Sequence, residues 1–306
     1  MDRKFLSVLL ILIPLVATCA CIGGDENVEK WNEIVEKANG YAEDGGDILE
    51  EAEDAYGLGN YDIALNKADE ASGKFDLLLG EIDELMDVAE DMDNGFTEDY
   101  VEAWESKVEA GQSYIDNLKM LILIDKFGAI FQVIMDSEET AFDQMYDMND
   151  YYNGEKYQLA LTTADMAYNN FGQLVSLAED LDSVAQDIGT DYVIQYTTAI
   201  KSLYTNCMTF IEYARLACSA AISNDLATAD NYVDQANVYY NNASEAQTAL
   251  EQAIAAHPSE FPVYGTPLDG IYNSYYSDLS SDLEDVGDYD DEMNDIKEDN
   301  DDFFED

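Results

Sequence analysis

Apolar residues in this chain recur three and four positions apart over long stretches, which is the 3.6-residue period of an amphipathic helix. Val28, Trp31 and Val35 begin one such stripe. The segment Val28-Glu29-Lys30-Trp31 with Val35-Glu36 and Tyr41 returns as Val101-Glu102-Ala103-Trp104 with Val108-Glu109 and Tyr114, every marker displaced by 73 positions. A third copy, Asp191-Tyr192-Val193 with Tyr196 and Ile200, echoes Asp99-Tyr100-Val101, Trp104 and Val108 at a displacement of 92. It continues through Leu203, Cys207, Phe210, Ala214 and Ala217, the sustained spacing that knobs-into-holes packing between long helices requires.

A second marker follows each stripe. Ala64, Ala68 and Ala71 correspond to Ala160, Ala164 and Ala167, and then to Ala229, Val233 and Ala236; small residues at these intervals let a neighbouring helix approach closely. The distance from stripe to marker is 36 in the first and third copies and 59 in the second, so the middle copy carries 23 more residues. The pattern predicts an all-α chain, an elongated bundle or array of three long helical hairpins over 26–96, 97–188 and 189–257. Helices at 26–57 and 61–92 form the first hairpin, with Gly40 and Gly45-Gly46 as bends or breaks. Asp93-Asn94-Gly95 and Ile188-Gly189-Thr190 separate the hairpins, Thr97 caps the next helix, Gly128 is the expected break in 98–152, and His257-Pro258 ends the third hairpin. The added residues of the middle copy, Met120 to Met135, are nearly continuously apolar, a segment to be buried between hairpins or to dock a partner.

Gly59-Asn60-Tyr61-Asp62-Ile63-Ala64-Leu65 and Gly154-Glu155-Lys156-Tyr157-Gln158-Leu159-Ala160-Leu161 resemble the turn and second-helix start of a tetratricopeptide repeat. Ala64 and Ala71, or Ala160 and Ala167, stand at that family's small-residue positions. The resemblance implies a protein-binding helical-hairpin scaffold. The unit here is about twice the usual length and lacks the closing proline.

The amino terminus has a different character. Asp2-Arg3-Lys4 precedes an apolar run from Phe5 to Ala17, the layout of a signal peptide and shorter than the ~20 residues of a membrane-spanning helix. Ala20-Cys21 resembles the lipobox of prokaryotic lipoproteins, and Cys21-Ile22-Gly23-Gly24 resembles the start of mature archaeal surface lipoproteins. The resemblance implies a signal peptide over 1–20, lipidation of Cys21 with Cys19 as the alternative, a tether over 21–25, and attachment to the cell membrane at its extracytoplasmic face. A two-chain lipid there would anchor stably.

Charge sharpens this setting. With 67 acidic against 13 basic residues the formal net charge is -54, which disfavours binding to nucleic acid and anionic lipid. Such self-repulsion calls for screening, and at 1 M salt the screening length is only ~3 Å. A salt-adapted prokaryote is the simplest source. After Pro258 the chain reads as an extended linker and then an acidic tail to Asp306, a like-charge block expected to be disordered; it reads as a solubilising tail, the alternative being a recognition tail for a basic partner with Phe303 and Phe304 as apolar anchors.

Candidate chemistry is sparse. Cys207 and Cys218 are eleven positions apart on a helical pattern, roughly 16 Å, too far to pair on one straight helix, and read as small core residues. His257 is the sole histidine, so no Ser-His-Asp triad elsewhere and no two-histidine metal site can be assembled. Asp91 to Gly95 and Asp288 to Glu292 depart from the calcium-loop pattern. Asn242-Ala243-Ser244 is a glycosylation acceptor pattern. The expected function is that of a non-enzymatic, membrane-anchored scaffold or protein-binding module without cofactor or metal and with an unidentified protein partner. The alternative is a solute-binding or envelope-transport component holding a small ligand near Trp31, Trp104 and the middle apolar segment.

Overall fold

The structure, a computed structural model, describes residues 26–92, 95–261, 267–300 and 303–304. Cys19, Cys21 and the leader lie outside the described residues. Among those residues are seven helices and no strand: α1 Glu26–Gly57, α2 Tyr61–Asp91, α3 Gly95–Asn153, α4 Tyr157–Ile188, α5 Asp191–Ile222, α6 Leu226–Ala256 and α7 Asp269–Asp299. The all-α array of hairpins expected from the periodicity is observed.

Three turns join the two helices of each hairpin, and they are one turn repeated. Gly59, Glu155 and Asn224 all take left-handed backbone, with φ of 74°, 59° and 61°. Each donates its N–H to the carbonyl three residues back (Tyr56, Tyr152, Ala221), and the next residue donates to the carbonyl five back (Ala55, Tyr151, Ala220), at 2.9–3.0 Å. That double bond pattern is the Schellman motif, which satisfies carbonyls a helix end leaves open. The next helix starts at once: Ala64, Ala160 and Ala229 donate to the residue following the left-handed one. In the third turn Asp225 also caps α6 by accepting from the Thr228 N–H at 3.2 Å.

The described residues are grouped into two compact units, the first drawn from 26–122 and 272–304 and the second from 123–271. The first contains α1, α2, the first part of α3 and α7; the second contains the remainder of α3, α4, α5 and α6. The boundary lies inside α3, and each unit contains four helices or helix portions. A displacement of 96 superposes their sequences: Tyr56, Tyr61, Phe75, Leu78, Leu85 and Val88 become Tyr152, Tyr157, Phe171, Leu174, Leu181 and Val184. The 59-residue α3 is therefore the third helix of one unit and the first of the next, run together. This accounts for the extra residues of the middle copy.

Gly128 does not break α3. A glycine inside a helix costs about 1 kcal/mol relative to alanine, and burial of Leu121, Ile122, Ile124, Phe127 and Ile134 around it is worth more. Nor do Gly40, Gly45 and Gly46 interrupt α1. Gly45 is buried because the α2 ring of Phe75 lies against it; a Cβ there would meet Phe75 Cε2 at 3.1 Å.

The acidic tail requires the largest correction. From Asp269 to Asp299 it is helical rather than disordered, and it completes the first unit with Leu279, Val286 and Met293 buried, each seven residues from the next. Polar bonds to α3 hold it as well: Lys107 to Asp290 at 2.5 Å, Ser113 to Asp282 at 2.9 Å and Asn117 to Asp282 at 2.6 Å. Phe303 and Phe304 do not await a partner; they pack on Phe96, Tyr100 and Trp31, with Phe304 buried. Asp288 to Glu292 is helical and cannot form a calcium loop.

Candidate functional site

Most residues singled out by periodicity lie in the cores. Trp31, Val35, Val101, Trp104, Val108, Val193, Tyr196 and Ile200 are buried, as are Ala64, Ala68, Ala71, Ala160, Ala164, Ala167, Ala229 and Ala236; Val28 is half-buried. Neither tryptophan lines any of the four recesses described below. Cys207 and Cys218 are free and buried, and burial pushes their thiols up to about 12 and about 11, which keeps them unreactive. His257 caps α6 and stacks on Tyr192 at 4.1 Å. Asn242 is exposed midway along α6.

The buried charges are structural in their partners. Glu53 accepts from the Tyr114 hydroxyl at 2.7 Å, and desolvation raises its carboxyl to about 7 against the lowering effect of that bond. Glu138, bonded by Tyr204, is raised by burial in the same way. Lys107 is 1% exposed, and its desolvation, opposed by Asp290, lowers its pKa.

In the first unit a recess of ≈ 490 Å³ is lined mainly by Asp99, Asp288, Asp291, Glu292, Asp295 and Asp299. No group of His, Cys, Asp or Glu among the described residues has a metal-holding arrangement.

The second unit offers the other surface chemistry. Asp191 and Glu212 are the acidic residues of α5, and Asp230, Asp234, Glu245 and Glu251 those of α6, whereas α7 carries twelve in 31 residues. Leu216, Ile222, Leu226, Val238 and Tyr240 are exposed on this hairpin. Between α5 and α6 a recess of ≈ 570 Å³ includes Tyr192, Gln195, Thr198, Ser202, Ala249 and His257, with no carboxylate among its lining residues. Periodicity did not single out this surface; the signal was the scarcity of Asp and Glu over 191–256.

On the other flank of α6, two adjoining clefts of ≈ 240 and ≈ 190 Å³ share Phe210. Phe142, Met145, Tyr146, Leu203 and Tyr240 wall the first, and Met148, Tyr152, Val233 and Ala236 help wall the second; no charged side chain lines either.

The chain matches no protein-family model, no curated protein and no solved structure. No helix among the described residues is long and apolar enough to cross a membrane.

Proposed function

We propose that the chain is a membrane-anchored extracytoplasmic lipoprotein of a salt-adapted prokaryote, lipidated at Cys21 or alternatively Cys19, and that it works without catalysis as a helical scaffold that binds a protein partner. The observation that carries this reading is the contrast between α5–α6 and the acidic helix α7. A strongly acidic protein keeps its solvated faces charged, and a hairpin with few carboxylates that exposes Leu226, Val238 and Tyr240 is suited to being covered. The packed tryptophan stripes agree with a scaffold: Trp31 and Trp104 are wholly buried and line none of the four recesses. The Tyr61 and Tyr157 turns, which resemble those of tetratricopeptide repeats, fit a protein-binding role.

The test is a pull-down from native membranes in high salt, comparing the natural chain with a Leu226→Asp, Val238→Asp variant and with Leu77→Asp as a control on an exposed residue of the first unit. A stoichiometric protein retained by the natural chain and the control, and lost by the double variant, is the expected result. A chain released freely from membranes with no partner would contradict it. The clefts beside α6 favour the second reading, a small-ligand carrier.

A further inference from the structure

The two units differ most in their fourth helix. In the first unit α7 runs antiparallel to α3, with Asp290 at Lys107 and Asp282 at Asn117. In the second unit α6 runs antiparallel to α5, with Tyr240 at Phe210 and His257 at Tyr192. The buried residues of α7 are Leu279, Val286 and Met293, seven apart, and those of α6 include Ala229, Ala236 and Ala243 at the same spacing. On that spacing α7 buries larger apolar side chains where α6 has Ala236 and Ala243. Both alanines line the clefts. Where the first unit is filled by leucine and valine side chains, the second has methyl groups and open volume. An empty apolar gap of this kind costs stability, because the lining atoms lose their packing partners.

We propose that the paired clefts beside α6 are a binding site for an elongated, uncharged apolar molecule: a hydrocarbon chain with a neutral hydrogen-bonding head. The shape follows from the lining, which extends along α6 from Val233 to Gln247, about 21 Å at ~1.5 Å per residue. Together the lobes fall within the roughly 300–1,000 Å³ typical of small-molecule sites. The chemistry follows from the walls. Phe142, Leu203 and Phe210 present hydrocarbon, while Asn153, Asn237 and Gln247 offer amides to a head group. Charge selects against an ionised head: no Lys or Arg lines the clefts to pair with a carboxylate or phosphate, and the protein's field is strongly negative. This site goes beyond the scaffold reading and holds whether or not a protein covers α5–α6.

The sister unit supplies the test. Ala236→Leu with Ala243→Val copies into α6 the residues α7 carries. The natural full chain and this variant are titrated side by side in ~1 M salt with the neutral fluorophore N-phenyl-1-naphthylamine, so that binding elsewhere cancels. The natural chain is expected to bind one probe, displaced by 1-hexadecanol at a concentration at least about tenfold lower than palmitate requires. The variant is expected to lose that binding by at least about tenfold and to melt at a higher temperature. Tyr240→Ser, at an exposed position on the rim, is a second variant that leaves the core alone and is expected to weaken probe binding. Absence of binding to the natural chain, or equal binding by all three proteins, overturns the proposal. Displacement by a co-purifying protein and not by 1-hexadecanol overturns it in favour of a docked helix.

Discussion

Replacing Glu53 by Gln tests whether the first unit holds a carboxylic acid that prefers to stay protonated. Glu53 is half-buried, and desolvation, with Asp54 and Glu50 nearby, raises its pKa from 4.5 to about 7 although Tyr114 donates to it at 2.7 Å. The folded state therefore binds a proton that the unfolded chain gives up near pH 4.3. Where the folded state binds more protons, stability falls as pH rises. The loss begins near the unfolded pKa and is complete above about 7. The full shift corresponds to roughly 3 kcal/mol at 1.36 per unit, and residual solvent around a half-buried carboxyl reduces this to about 2 kcal/mol. Repulsion among the 67 acidic residues also grows over this range, so only the difference between natural chain and variant isolates Glu53. Denaturant unfolding followed by circular dichroism in ~1 M salt, at pH 5 and pH 8, is the assay. Glu53→Gln is expected to be more stable by only about 0.5 kcal/mol at pH 5 and by about 2 kcal/mol at pH 8, the latter a rise of roughly 4–8 °C in melting temperature. Tyr114→Phe removes the bond that lowers the pKa and is expected to steepen the pH dependence. Equal pH profiles for natural chain and Glu53→Gln, or a variant less stable at pH 8, would refute the reasoning.

Other outcomes follow from single contacts. Asp290→Asn leaves Lys107 buried without a counter-charge and is expected to cost about 3 kcal/mol by chemical unfolding, more than Lys107→Met, which leaves only a part-exposed carboxylate behind. Limited proteolysis should release α7 faster from Asp290→Asn than from the natural chain. At the repeated turn, Gly59→Ala places a Cβ at positive φ and is expected to destabilise by about 1–2 kcal/mol, whereas Glu155→Gly relieves the same strain and is expected to raise the melting temperature. Cys207 and Cys218 are expected to resist iodoacetamide at pH 8 in the folded protein and to react once it is unfolded, because burial holds both as thiols; labelling mass checks this.

The helical hairpins were legible because their signal is dense. Stripes such as Trp31 and Val35, or Tyr196 and Ile200, place several apolar residues on one face within each turn or two, and the observed α1 and α2 end within a residue of the punctuation at Gly57 and Met92. α7 was not, because its stripe of Tyr272, Tyr275, Leu279, Leu283, Val286, Met293 and Ile296 lies among twelve carboxylates. The acidic composition hid that stripe, and the polar anchors Lys107, Ser113 and Asn117 lie on a distant segment. The union of two helices in α3 was masked by Gly128, a local signal that tertiary burial overrides. The 96-residue relation was visible in the small-residue markers Ala64 and Ala160 but blurred in the leading helices, where Trp31 and Val35 become Phe127 and Phe131. The clefts could not be read from the sequence at all. They arise where the seven-residue buried stripe of α6 carries Ala236 and Ala243 while that of α7 carries Leu279 and Val286, a difference that means nothing until both helices are seen packed.

The functional account depends first on where the chain is held. Intact mass of the mature amino terminus, taken from protein extracted from membranes in high salt, tests this most directly. The account predicts a chain beginning at Cys21 and carrying lipid mass. A chain that begins elsewhere, without lipid and recovered outside the membrane fraction, would contradict it.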